Sequence, residues 1–251
     1  MKDYLWLHLR ELPYFRALVR AVEASFYQEL DLPAPTLDVG CGDGHFASLT
    51  FDRSIDVGLD PWTAPIHEAS RRGCYRVLVQ ADGAQAPFPT GYFASAFSNS
   101  VLEHIPHIDA VLQETGRVLR SGSPFYFCVP NERYLSSLAL TAVLGPAYTE
   151  WFRRISRVEH ADGSQVWQER LERAGFHLEK SWHYFSPSAL RVLEWGHYFG
   201  VPSVAARLLT GRWIIAPARW NLWLTEKIVR PYASPAPLEN GTYTFYIAKK
   251  R

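Results

Sequence analysis

A chain of 251 residues, 47% hydrophobic and 20% charged, can bury the core of one large domain and does not read as disordered. Its formal net charge of +1 gives no global electrostatic case for a polyanionic partner such as nucleic acid. Cys41, Cys74 and Cys128 lie far apart without CxxC spacing, which speaks against disulfides or a zinc site and for a reducing, cytoplasmic setting.

The opening MKDYLWLHLRELPYF carries charges throughout and does not read as a signal peptide. Leu5, Leu9, Leu12, Phe15, Val19, Val22, Phe26 and Leu30 recur every three or four residues, the spacing of one helical face. Residues 1–35 are thus expected to be helical, with Pro13 in the first turn of the main helix and Pro33 and Pro35 ending it. From there strands and helices alternate. Strand Thr36–Val39 leads through glycines to helix His45–Thr50, then strand 55–59 and helix 65–72, closed by Gly73. Tyr75–Gln80 and 93–98 read as strands, followed by a helix with Val111, Leu112, Val118 and Leu119 on one side and a strand at 125–129. This rhythm predicts an α/β fold, a doubly wound and mostly parallel sheet covered on both faces.

After Pro130 the rhythm breaks. Segments 132–160 and 186–238 read as helical insertions forming a substrate cap within a single domain spanning 1–251. Between them Asp162 is expected to cap a helix at 163–174, followed by strand Phe176–Tyr184, and 242–248 closes the chain as a final strand. No apolar run approaches the roughly 18 to 20 residues of a membrane span.

The loop TLDVGCGDGHF decides what class of ligand the sheet would bind. A dinucleotide fingerprint places its third glycine three positions after the second, and here His45 stands there. A phosphate-binding GK[ST] ending is also missing from GHFAS. Gly40, Gly42 and Gly44 therefore suit a ligand that meets bare backbone without a phosphate. Asp60 follows Gly40 by 20 residues at the end of the second strand, where a carboxylate can accept from both ribose hydroxyls. Asp82-Gly83 follows the third strand and suits an adenine edge, and Asn99-Ser100 follows the fourth.

On these residues the chain resembles the class I S-adenosylmethionine-dependent methyltransferases. LDVGCGDG is similar to the family's first motif, VGLD to its second and ADGAQAPFP to its third. FSNSVLEHI followed by VLRSGSPFYFCVPN resembles the fourth and later ones, nearest to the small-molecule, quinone-type branch. LRSGS departs from the family's usual Lys-Pro-Gly-Gly turn, a structural feature. The resemblance implies a seven-stranded Rossmann-like sheet with an antiparallel last strand, and S-adenosylmethionine as cofactor. It implies that backbone at Gly40, Cys41 and Gly42 faces the methionine moiety while Asp38 helps hold its ammonium group. Asp60 would hold the ribose, Asp82 and Gly83 the adenine, and Asn99 would lie near the reacting methyl. Gly44, Pro61 and Ser100 complete the expected cofactor-side set.

Glu103 and His104 follow the fourth strand, where an acceptor would approach, and His104 could take a proton from a hydroxyl. His107, His160 and His183 are weaker candidates for the same work. No acidic or histidine cluster shows metal-ligand spacing, so no metal is expected. Residues 203–232 set Arg207, Arg212, Arg219, Lys227 and Arg230 against Glu226 alone, interleaved with Trp213, Trp220 and Trp223. Such a segment suits either a lid over the site or a peripheral membrane contact, and both imply a hydrophobic acceptor. Two other readings stay open: a nucleic-acid methyltransferase, for which SNSVLEH lacks the usual Pro-Pro-aromatic motif, and a non-catalytic binding protein on the same fold.

Overall fold

The computed structural model describes residues 2–251. Helix α1 (Tyr4–Leu9) is capped by Asp3, whose carboxylate accepts from Trp6 N–H, and α2 (Tyr14–Tyr27) follows. Pro13 stands at the N-cap of α2, one position earlier than expected. The alternating region then runs β1 (Thr36–Val39), α3 (His45–Thr50), β2 (Ile55–Asp60), α4 (Thr63–Arg72) and β3 (Tyr75–Gln80). It continues through β4 (Ser95–Asn99), α5 (Ile108–Val118) and β5 (Pro124–Pro130). β4 begins at Ser95 because Ala94 N–H donates to the Pro35 carbonyl and Phe93 forms only an isolated bridge with Leu119.

Beyond β5 come α6 (Arg133–Ser136), α7 (Thr141–Ser156), α8 (Ser164–Arg173), β6 (Phe176–Tyr184) and α9 (Pro187–Phe199). Then follow α10 (Val201–Thr210), α11 (Arg219–Val229) and β7 (Tyr243–Lys250). α7 kinks at Gly145, next to Pro146, which cannot donate to the preceding turn. Asp162 does not cap α8; Gly163 does. The Asp162 carboxylate accepts instead from Arg170 at 2.6 Å, since a guanidinium binds a carboxylate more strongly than a backbone amide does.

The seven strands lie in the order β3-β2-β1-β4-β5-β7-β6, with β7 antiparallel to both neighbours and the rest parallel. Strand alternation feeds two cores. Phe125, Phe127 and Val129 pack on one side with Trp167 and Leu171 of α8, while Tyr126 and Cys128 face the other with α2 and α9. α2 lies between the sheet and α9, so Ala17, Leu18, Ala21, Val22 and Ala24 are all buried. Strand order reverses between β1 and β4, and the carboxyl ends of those two strands define the crevice where a doubly wound sheet takes its ligand. No helix among the described residues is long and apolar enough to cross a membrane.

Candidate functional site

The loop after β1 is shaped by two glycines for different reasons. Gly40 has φ +79°, and a Cβ there would collide with Val101. Gly42 has φ +54°, and the space where its Cβ would stand is empty to 4 Å, leaving bare main chain open to a ligand. Gly44 is set back as the left-handed N-cap of α3, packed near Tyr75 and Ala69.

Two clefts meet at Gly40. One, of about 340 Å³, is lined by Asp38, Gly40, Cys41, Gly42, Asn99 and Ser100, facing Arg16 and Arg20 of α2. The other, of about 930 Å³, is lined by Asp60, Pro61, Asp82 and Gly83 with apolar Leu59, Ile105 and Val111. The Asp60 carboxylate accepts from Gly42 N–H and Trp62 N–H, both at 3.0 Å, so the end of β2 holds the glycine loop in place. Asp82 accepts from Ala84 N–H at 2.9 Å and starts a short helical turn there.

Charges in the first cleft are poised and incomplete. Asp38 accepts from Tyr75 O–H at 2.6 Å, yet burial pushes its carboxyl up to about 7, with the Asp60 charge adding and Tyr75 opposing. Asn99 donates its amide to Glu23 at 2.8 Å and to Cys128 at 3.2 Å, which leaves its Oδ1 buried with no donor. Glu23, wholly enclosed on α2, also accepts from Tyr184 O–H at 2.7 Å and Ser100 O–H at 2.9 Å, and burial raises its pKa. Among the described residues, no carboxylate lies within 4.0 Å of Arg16 or Arg20; against burial, which raises it, the charges of Arg20 and Arg16 and the His45 N–H together hold the nearby Asp43 carboxyl below its ordinary value. Burial and the neighbouring Arg20 push Arg16 down to about 10. Trp213 lies under both Arg16 (5.7 Å) and Arg207 (5.8 Å), and Arg207 pairs with Glu68 of α4 at 2.6 Å. One edge of the 186–238 insertion thereby borders the cleft.

A third cleft, of about 220 Å³, lies beyond Ser100. Its apolar wall is Phe15, Val19, Ile155, Val158 and Leu193, and Glu103, His104 and His197 reach it along with Arg16 and Arg20, which it shares with the first cleft. His104 Nδ1 stands 2.7 Å from the Arg157 carbonyl, which can only accept, so Nδ1 carries a proton and the accepting nitrogen of the neutral ring is Nε2. Glu103 has one oxygen without a partner, and burial pushes its carboxyl up to about 7, opposed by His104. His160 and His183 are tied elsewhere, to the Ile105 carbonyl and to Thr244, and His107 precedes α5. His197 borders both the second and third clefts and was not legible in the sequence.

These features fit an amino-acid nucleoside. Asp38 and Asn99 Oδ1 seek a cation, Arg16 and Arg20 an anion, and Asp60 has lone pairs left for hydroxyls. A family model described as the methyltransferase domain matches residues 37–127. An uncharacterized methyltransferase of Mycolicibacterium gilvum is 30% identical over 70% of this chain and 66% of its own. A probable S-adenosylmethionine-dependent methyltransferase of Mycolicibacterium smegmatis is 29% identical over 64% of this chain and 59% of its own. The chain therefore spans just under two-thirds of the length of these relatives. The fold matches that of geranyl diphosphate methyltransferase solved with S-adenosylmethionine, at a TM-score of 0.58 and 15% identity, covering 95% of this chain and 90% of that one.

Residues 37–127 belong to a class I S-adenosylmethionine-dependent methyltransferase domain. Its cofactor is S-adenosylmethionine, which supplies a methyl group already activated by a sulfonium. If Asp38 faces the cofactor's ammonium group, as the resemblance implies, cofactor binding becomes pH-dependent. Below its pKa of about 7 the carboxyl is neutral and cannot offset an ammonium group. Affinity should therefore weaken by about tenfold between pH 7.5 and pH 6 in calorimetric titrations, and Asp38→Asn should flatten that dependence. Without ligand the sign reverses: the folded state holds the proton more tightly, so stability falls as pH rises from 3.8 towards 7.

Proposed function

We propose that this chain transfers the methyl group of S-adenosylmethionine, by in-line displacement, to a small apolar or lipid-like acceptor seated in the third cleft. The observation that carries this reading is the wall of Phe15, Val19, Ile155, Val158 and Leu193 immediately past Ser100. The motif register, nearest to the quinone-type branch, supports the same choice of acceptor. Asp38, the Gly40–Gly42 backbone, Asn99 and the two arginines hold the methionine end, while Asp60, Pro61, Asp82 and Gly83 hold the nucleoside.

Alignment of acceptor and methyl can by itself supply on the order of 7 to 11 kcal/mol. For a hydroxyl acceptor, His104 Nε2 receives the proton, and Nδ1 stays anchored on the Arg157 carbonyl. The Glu103 Oε1, 3.8 Å from Nε2, offsets the charge the imidazole gains. A greasy acceptor of this kind partitions into lipid, so the chain works in the cytoplasm and meets membrane surfaces peripherally through 203–232. Neither the site nor the net charge favours nucleic acid.

The test is incubation with methyl-labelled S-adenosylmethionine and a lipid extract. Label is expected in the organic phase, and His104→Ala should lower kcat by about 10²-fold with the cofactor Kd unchanged. Label appearing only in added RNA or protein would overturn the acceptor assignment. A His104→Ala variant at full activity would remove the base.

A further inference from the structure

α11 has two faces, and only one of them is used. Leu222, Glu226 and Val229 are buried, on the side that packs against α1 and α2. Trp220, Trp223, Leu224, Lys227 and Ile228 fall at i, i+3, i+4, i+7 and i+8, the spacing of a single helical stripe, and all five are exposed. Trp220 is 75% exposed and Trp223 55%, where an unpartnered helix would normally present polar groups. The preceding helix repeats the pattern: Leu208 and Leu209 on α10 are 81% and 85% exposed.

The carboxylates beside these side chains are both paired, Asp3 with Arg230 at 2.8 Å and Glu226 within the insertion itself. Glu226, the lone carboxylate of residues 203–232, is turned inward and pairs with Arg230. Arg219 lies over Trp6 and also stands 3.6 Å from Glu226, whereas Arg212 and Lys227 are exposed with no carboxylate within 4.0 Å among the described residues, Lys227 beside the Trp223 ring.

We infer that the outward faces of α10 and α11 form a docking surface for an anionic lipid bilayer. Indole rings settle at the headgroup level, leucines reach past it, and arginine and lysine stems run alongside to place their cations among lipid phosphates. A second copy of the chain is a poor occupant, because a two-fold contact would set the unpaired Arg212 and Lys227 against themselves. Inward-facing Arg207 and Trp213 of the same insertion border the methionine cleft, so docking brings the site up to the lipid. That last step rests on the proposed lipid-like acceptor, whereas docking itself does not.

The test is flotation of the full chain with vesicles of phosphatidylcholine alone and of phosphatidylcholine mixed with phosphatidylglycerol. Binding is expected on the mixed vesicles, weakened by salt, and little on phosphatidylcholine. The pairs Leu208→Asp with Leu209→Asp, Trp220→Ala with Trp223→Ala, and Arg212→Glu with Lys227→Glu should each reduce partitioning by about tenfold or more. All three pairs alter exposed positions outside the cofactor clefts, so calorimetric affinity for S-adenosylmethionine should not change. The proposal is overturned if no vesicle binds, if the variants float like the parent, or if sedimentation reveals a dimer that the same substitutions dissociate. Protein that floats without binding S-adenosylmethionine would sink the functional reading and leave docking intact.

Discussion

Asp60→Ala should weaken S-adenosylmethionine binding by about 10²-fold or more in a calorimetric titration, with the chain still folded. Two losses add. The carboxylate fixes the glycine loop through Gly42 N–H at 3.0 Å, and its free lone pairs are the acceptors we propose for the ribose. Charge-assisted hydrogen bonds contribute about 1.5–3 kcal/mol each, so losing the ribose pair alone accounts for that factor. Asp60→Asn separates the roles: it keeps an acceptor for Gly42 N–H but replaces one oxygen with a donor. An alanine variant of unchanged affinity would refute the ribose assignment.

Glu23 should produce the largest effect on stability and a distinct one on binding. In Glu23→Leu, the Tyr184 hydroxyl, the Ser100 hydroxyl and the Asn99 amide all lose a buried acceptor. Each orphaned donor costs about 1–3 kcal/mol, so a loss of at least about 3 kcal/mol is expected in denaturant titrations, a large share of a domain's stability. Glu23→Gln is the more informative change. A carboxylate only accepts, which obliges Asn99 to turn its NH₂ toward Glu23 and its Oδ1 toward the cleft. Glutamine at that position can donate, letting Asn99 flip and present NH₂ to the cofactor's cationic end. The variant should fold with less than about 1.5 kcal/mol of loss yet bind S-adenosylmethionine about tenfold more weakly. Normal affinity in Glu23→Gln would mean that Asn99 orientation is held by something else.

Other residues of the site differ in how far the sequence exposed them. Asp38, Gly40, Gly42, Asp60, Asp82 and Asn99 each sit at or just past a strand end. In a parallel sheet all such ends open on one edge, so the strand-loop-helix rhythm was enough to place them together. Glu103 and His104 were found by the same logic, being the loop after β4. Arg16, Arg20 and Glu23 could not be found this way. On an amphipathic helix, an arginine or glutamate is ordinarily read as solvent-facing, and that reading fails only because α2 is sandwiched between the sheet and α9. His197 and Trp213 come from the insertion, whose path over the sheet is not encoded in any local spacing. Asp162 shows the same limit in miniature: local propensity favoured a cap, and a guanidinium eight residues on took the carboxylate instead.

By itself, then, the amino-acid order determined the parallel sheet, the phosphate-free glycine loop and the acids at successive strand ends, because each is a matter of period and register along a few contiguous residues. Only the tertiary structure decided which buried carboxylate orients Asn99, which cations face the glycine loop and which helical stripe is left bare. Those depend on contacts between segments as far apart as Glu23 and Tyr184, 161 residues along the chain, and are set by what packs against each face rather than by the residues on it.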